Sequence, residues 1–386
     1  MRDVYVVSAV RTAIGKAKRT LSQVNPVQMG MLVVKEAVKR AGVPGERIED
    51  ICFGCAFPEG EQGMNIARVV GLVAGLPETV PAFTINRYCS SGLESIMLTA
   101  AKIKTGILDV AIAGGVESMS MIPMGGVKFA PDAVAVREHP DVYIGMGNCA
   151  DNVARDFNIS RQECDEFALL SNQRAVAAID AGKFKEQIVP VPVPTPNGVI
   201  MFDVDEGPRR DTTLEGLAKL KPAFAGPGRK GAVSTAGNSS QMSDGASAVC
   251  LMSEDAMKEF GATPLAKVRG YKVAAASCMY LGPAQLVAIP KACELSGIKI
   301  EDVGLFEANE AFASQCLYVR RELNLDPEKV NVNGGAIALG HPLGCTGAKL
   351  TTQVIYEMRA RGVKYGMVTM CIGGGMGAAG VFELCE

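Results

Sequence analysis

Two histidines and twelve cysteines are the scarce reactive side chains of this 386-residue chain, and only a few sit where chemistry is possible. His139, in Arg-Glu-His-Pro-Asp, is flanked by charge and proline and reads as a solvated loop residue. His341 lies in the glycine-rich stretch 334–350, where glycines bring backbone close and Pro342 fixes a turn. Read alone, it serves a turn as well as a catalyst. Given partners, it is nearly the only side chain able to act as a base at neutral pH.

Cys89 stands at the junction of a strand pattern and an amphipathic helix pattern, crowded by Ser90, Ser91 and Gly92. A helix N-terminus offers unpaired N–H groups and a positive dipole end, so this context favours thiolate over thiol. An inert buried thiol is the competing reading. Cys371 closes a buried strand that runs into Gly373-Gly374-Gly375. Those glycines make a poor phosphate loop, because no Lys-Ser/Thr follows them. Asn309 and Glu310 fall in a strand-to-helix turn: Glu310 offers a base and Asn309 a grip on a water or carbonyl, or else a helix cap. Cys52 and Cys55 have the spacing of half a zinc site, but neither histidine segment supplies a second pair, so they read as core packing. Cys89, Asn309, His341 and Cys371 all end predicted strands or open turns. Such a set brings a nucleophile, its base and a second acid/base thiol to one point.

The elements that must position them alternate. Val4–Ser8, Ile51–Ala56, Phe83–Asn86 and Val110–Ala113 read as strands. Val34, Ala37, Val38 and Ala41 give one helical face, and Leu93, Ile96, Met97, Ala100 and Ile103 another, ended by Gly106. This rhythm predicts an α/β sheet with helices on its faces. It breaks between 120 and 245, where Pro, Gly and charge dominate a loop-rich excursion. A helix from about Arg161 to Ala181 interrupts the excursion, opened by a Ser160/Glu163 capping box. After 246 the rhythm returns as an internal repeat. Ile48-Glu49-Asp50 and Ile300-Glu301-Asp302 are offset by 252, the offset that also maps Cys89-Ser90-Ser91-Gly92 onto His341-Pro342-Leu343-Gly344. Two similar halves facing each other across a pseudo-dyad are expected.

Composition narrows the function. Lys+Arg 39 against Asp+Glu 41 leaves a net charge of −2, with no positive field to hold nucleic acid. Thirteen Phe, eight Tyr and no Trp make a poor base-stacking platform. No uncharged apolar stretch is long enough to span a membrane. The cysteines lack disulfide-scaffold density, so free thiols in the cytoplasm are expected.

At its longest motifs the sequence resembles the thiolase family, across essentially the whole chain. The motifs are Val-Arg-Thr-Ala-Ile-Gly-Lys (10–16), Asn-Arg-Tyr-Cys-Ser-Ser-Gly-Leu-Glu-Ser-Ile (86–96), Ala-Gly-Gly-Val-Glu-Ser-Met-Ser (113–120), 235–246, 309–315, 331–348 and 371–377. The resemblance implies a thiolase-like fold: two βαβαβαββ halves stacked as α/β layers, plus a loop domain. Residues 1–119 with 246–262 would form the N-terminal half, 120–245 the loop domain over coenzyme A, and 263–386 the C-terminal half. It implies Cys89 as the acylated nucleophile, His341 as its base, and Cys371 as the acid/base at the α-carbon. The N–H groups of Cys89 and Gly373 would form one oxyanion hole, and His341 with a water on Asn309 the other. Arg209 would contact the nucleotide, Ser240 the pantetheine, and Met146 the acyl group.

The resemblance leans to degradative 3-ketoacyl-CoA thiolases, with an acetyl-CoA C-acetyltransferase acting on acetoacetyl-CoA as the alternative. Coenzyme A and acyl-CoA would be substrates, with no cofactor and no metal. The segment from Ser120 to Met146 is shorter than in tetrameric short-chain members, so a homodimer is expected ahead of a tetramer. The stretch 279–292 is two residues longer than usual near the acyl pocket.

Overall fold

The computed structural model describes residues 2–224 and 231–385. One sheet of eleven strands runs through the described residues. Its path uses β1 (Val4–Thr12), β3 (Asp50–Gly54), β4 (Ala82–Ile85), β5 (Val110–Ser118), β9 (Ser243–Ser253), β10 (Ala266–Ala275), β11 (Leu305–Ala308), β12 (Tyr365–Ile372) and β13 (Met376–Leu384). Two short strands, β2 (Gly15–Lys16) and β6 (Ile188–Val189), add to its margins. β1, β5 and β9 are buried along nearly their whole length, as strands covered by helices on both faces must be.

The two halves meet where β1 and β10 run antiparallel, at Tyr5↔Lys267 and Val6↔Ala266. Outward from that seam the order is β1-β9-β5-β3-β4 on one side and β10-β13-β12-β11 on the other. Where β4 pairs with β3, the second half has a single parallel bridge, Phe306↔Val330.

Helices α1 (Pro26–Ala41), α2 (Ile66–Val73), α3 (Ser91–Lys104), α8 (Glu254–Phe260), α9 (Pro283–Ser296) and α12 (Leu343–Arg361) pack on the sheet. The offset of 252 holds for the two central helices, whose first residues are Ser91 and Leu343. It fails for the Ile-Glu-Asp triplets. Ile300–Asp302 is itself a 3₁₀ turn, and the equivalent turn in the first half is Gly45–Arg47, while Asp50 already belongs to β3. The strands are thus 255 apart (305 − 50), and a shorter connection in the second half restores 252 at the helices. The central helices touch through backbone. A Cβ on Gly92 would lie 2.7 Å from the Ala348 nitrogen, and one on Gly347 would run into the Leu93 nitrogen. This contact brings the two helix N-termini, one preceded by Cys89 and the other by His341, to a common place.

The excursion from 120 to 245 is richer in structure than its composition indicates. Besides α6 (Arg161–Asp180), with the expected capping box, it holds α4 (Ala133–Glu138), α5 (Met146–Asp156) and α7 (Leu214–Ala218). It also carries a hairpin, β7 (Val191–Thr195) with β8 (Gly198–Phe202), whose prolines 192 and 194 point outward. α5 escaped the apolar pattern because small and polar residues, Gly147, Asp151 and Asn152 among them, form its buried face. A fully buried ion pair ties the excursion to β1: Arg11 donates to both Asp205 oxygens at 2.7 and 2.8 Å.

Candidate active site

Cys89 sits in the 3₁₀ turn Tyr88–Ser90 that leads into α3. Tyr88 holds a left-handed φ of 44°, a strained backbone for a residue with a Cβ. Side chains fix that turn. Asn86 Oδ1 accepts the Tyr88 N–H at 2.8 Å; Ser91 Oγ accepts the Arg87 N–H at 2.8 Å and donates to the Tyr88 carbonyl at 2.7 Å. The Cys89 sulfur is buried, and the backbone N–H groups of Gly373 and of Cys89 itself favour its thiolate. Burial outweighs both and pushes the thiol up to about 12. This corrects the expectation that the helix N-terminus leaves a thiolate: the resting sulfur keeps its proton because the site is dry.

Cys371 ends β12 beside the Gly373–Gly375 turn and is almost wholly buried. Burial, and then the neighbouring Cys89 sulfur, push its thiol well above the usual range. The two cysteines are therefore electrostatic neighbours contributed by opposite halves.

His341 lies between α11 (Ala336–Leu339) and α12. Thr346 Oγ1 donates to the Pro342 carbonyl at 2.9 Å, so at 2.6 Å from His341 Nδ1 it acts as acceptor. The ring proton therefore resides on Nδ1, and Nε2 presents its lone pair. Asn309 Nδ2 approaches that nitrogen at 3.2 Å. Burial, and then the Lys349 cation, push the imidazole down to about 3. Histidine and thiol are both neutral at rest.

Asn309 follows β11 and is no helix cap: α10 (Ala313–Glu322) begins four residues later, with Phe312 at its cap. Its Oδ1 is buried without a protein partner, an open acceptor beside the imidazole. Glu310, considered as a base, is consumed structurally. It accepts from Ser171 Oγ at 2.6 Å, Asn331 Nδ2 at 2.9 Å and the Ile337 N–H at 3.1 Å. A Cβ on Gly373 would lie 3.6 Å from both Met146 Sδ and the Tyr88 ring, so Met146 borders the same space.

Ser240 donates its N–H to the Ala311 carbonyl at 2.9 Å and immediately precedes Gln241, whose carbonyl accepts the His341 N–H at 3.1 Å. Arg209 is exposed, its N–H on Asn172 Oδ1 at 2.9 Å. Two residues before it, the Gly207 carbonyl takes Gln241 Nε2 at 3.0 Å, which lays the Arg209 segment over the His341 loop. His139 is exposed at the end of α4. Among the described residues no group of three His, Cys, Asp or Glu side chains is arranged to hold a metal, and no helix is long and apolar enough to cross a membrane. A separate cavity of about 910 Å³, bordered by Arg40, Tyr356 and Arg359, contains none of the residues named above as site candidates.

Sequence reasoning passed over several supporting residues. Glu117, buried in β5, accepts the Ala56 and Gly344 N–H groups at 2.7 Å each, clipping the β3 loop to the start of α12. A carboxylate inside an apolar strand was the available signal. Thr346 and Lys349, four and seven residues beyond Pro342, carry no such mark, since their role depends on the fold of the turn.

Comparison with known proteins is consistent along the chain. A family model described as the thiolase N-terminal domain matches residues 4–255, and one described as the thiolase C-terminal domain matches 262–384. A 3-ketoacyl-CoA thiolase of Bacillus subtilis is 51% identical over 395 aligned positions, covering all of both chains. An acetyl-CoA acetyltransferase of Syntrophomonas wolfei is 43% identical, covering 99% of each. The crystal structure of human mitochondrial 3-ketoacyl-CoA thiolase superposes with a TM-score of 0.92 at 39% identity, covering all of this chain and 99% of the other.

Proposed function

This chain belongs to the thiolase family of acyltransferases, and from that premise we propose that it cleaves 3-oxoacyl-CoA with coenzyme A. The products are acetyl-CoA and an acyl-CoA two carbons shorter, as fatty-acid degradation requires. Cys89 carries the acyl group. The observation that supports this most is the grouping at Cys89 of backbone N–H groups that favour its thiolate, with Cys371 beside it and the unprotonated Nε2 of His341 in the adjoining loop.

The neutral resting pair sets the order of events. The Cys89 sulfur adds to the 3-oxo carbon as its proton passes to His341 Nε2. The oxygen gains charge where the N–H groups of Cys89 and Gly373 point, the arrangement that lowers such barriers most. The C2–C3 bond then breaks, its electron pair goes to C2, and Cys371 supplies the proton there, releasing acetyl-CoA. Coenzyme A next gives its thiol proton to the Cys371 sulfur and attacks the acyl carbon. Cys89 leaves and recovers its proton from His341. Asn309, with its unpaired Oδ1 and its amide on Nε2, supports the second oxyanion position. Coenzyme A is read as lying along Ser240 and Arg209, with Met146 against the acyl group.

Residues 120–245 are read as the loop domain over coenzyme A, between an N-terminal half (1–119 with 246–262) and a C-terminal half (263–386). A homodimer is supported by β4, an edge strand flanked by exposed Val69, Leu72 and Val73; light scattering behind size exclusion tests it. Free thiols at Cys89 and Cys371 fit a reducing cytoplasm.

The second reading is acetyl-CoA C-acetyltransferase acting on acetoacetyl-CoA, favoured by the relatives of that name. Thiolysis rates across 3-oxoacyl-CoA chain lengths decide between them. A rate that holds or rises beyond four carbons supports the 3-oxoacyl reading; activity confined to acetoacetyl-CoA supports the second.

A further inference from the structure

The peptide bond that leads into His341 is held at both ends. Its N–H is shared between the Gln241 carbonyl at 3.1 Å and Ser243 Oγ at 3.2 Å. Its carbonyl, that of Gly340, accepts from Lys349 Nζ at 3.0 Å. Gly340 adopts φ 86°, and a Cβ there would collide with Ser243 Oγ, so this backbone has little room to relax.

Lys349 lies on α12 and is 0% exposed. A buried ammonium is costly unless charge and acceptors match it, and a methionine would fill the same space without that cost. The charged and titratable groups facing it are Arg11 of β1, Asp205, Cys345 on its own helix, Glu307 of β11 and Glu310 just after that strand. Arg11 and Asp205 neutralise each other through paired hydrogen bonds. That leaves two buried carboxyls, Glu310, already held by three donors, and Glu307, whose Oε2 lacks a partner and which burial pushes up to about 8. His341 feels Lys349 as its neighbouring cation.

We propose that Lys349 is a positioning residue for His341, clamping the Gly340 carbonyl and adding its like charge to burial so that Nε2 stays unprotonated. The inference rests on the reading of His341 as the base. A cation beside an imidazole disfavours the imidazolium, so removing it makes the ring easier to protonate.

The chain's two histidines make the test direct. In protein labelled with isotopic histidine, only the His139 and His341 rings report. The wild-type His341 signal should stay neutral, with the proton on Nδ1, through pH 5. In Lys349→Met it should titrate at least roughly one pH unit higher than in wild type. Acyl transfer in that variant should slow by about tenfold or more, with KM for coenzyme A within about twofold, because a mispositioned base costs transition-state stabilisation. Lys349→Arg, which keeps the charge, should retain the neutral signal. An unchanged His341 titration in Lys349→Met overturns the proposal. If that variant does not fold, wild type and Lys349→Arg decide: a His341 ring that becomes charged above pH 5 in either overturns it. A shifted titration with an unchanged acyl-transfer rate sustains the role of Lys349 and removes His341 as the base.

Discussion

The backbone N–H of Gly373 favours the thiolate of Cys89, a residue from the other half of the chain. The nucleophile and one of its donors thus meet only when the two halves close on each other. The backbone contact of Gly92 and Gly347 with the facing central helix sets that closure. A donor fixed beside the sulfur by the fold needs no reorientation when a carbonyl oxygen arrives there, which is what makes such sites effective.

Cys89 should be the cysteine that becomes acylated. Incubation with acetyl-CoA, an acid quench and peptide mapping by mass should place the acetyl group on the 89 peptide alone. Acetyl mainly on Cys371 would reverse the two roles.

Alkylation should reveal the neutral resting pair. The Cys89 thiol is pushed up to about 12, so its thiolate fraction rises about tenfold per pH unit below that value. Iodoacetamide labelling of the 89 peptide in free enzyme should therefore climb steadily from pH 7 to 10. A plateau beginning near pH 7 would mean a thiolate already formed at rest.

Asn309→Ala removes the donor on His341 Nε2 and the unpaired acceptor beside it. Loss of one such group costs about 10²–10³ in kcat, with KM for coenzyme A nearly unchanged. A loss confined to KM would place Asn309 in binding instead.

Arg209→Ala should raise KM for coenzyme A by about tenfold and leave kcat at saturation within about twofold, the mark of binding shared by ground and transition states. A selective fall in kcat would remove Arg209 from the nucleotide end.

Much of this site was legible in the sequence, because Cys89, Asn309, His341 and Cys371 each lie in a motif where a strand or turn ends among small residues. The alternation of strands and helices was legible for the same reason: apolar period and glycine stops are local. What remained hidden depends on three-dimensional packing. The helix of Met146–Asp156 buries small polar residues and so lacks an apolar stripe. Glu310 resembled a base until Ser171, Asn331 and the Ile337 N–H were seen to surround it. The Ile-Glu-Asp match paired a strand entry with a 3₁₀ turn, since three letters carry no backbone conformation. The protonated state of Cys89 follows from burial, which a helix N-terminus read from sequence does not disclose.

The central claim is that two cysteines divide the reaction, and Cys371→Ala tests it most directly. Transfer of labelled acetyl from acetyl-CoA to the 89 peptide reports acylation of Cys89. Loss of the magnesium-enolate absorbance of a 3-oxoacyl-CoA reports carbon–carbon cleavage. The variant should still be acylated by acetyl-CoA, while cleavage falls by at least about 10²–10⁴-fold, the worth of one general acid/base. Cys89→Ala, measured alongside, should lose both reactions because no covalent intermediate can form. Cleavage by Cys371→Ala at near the normal rate would contradict the two-cysteine account.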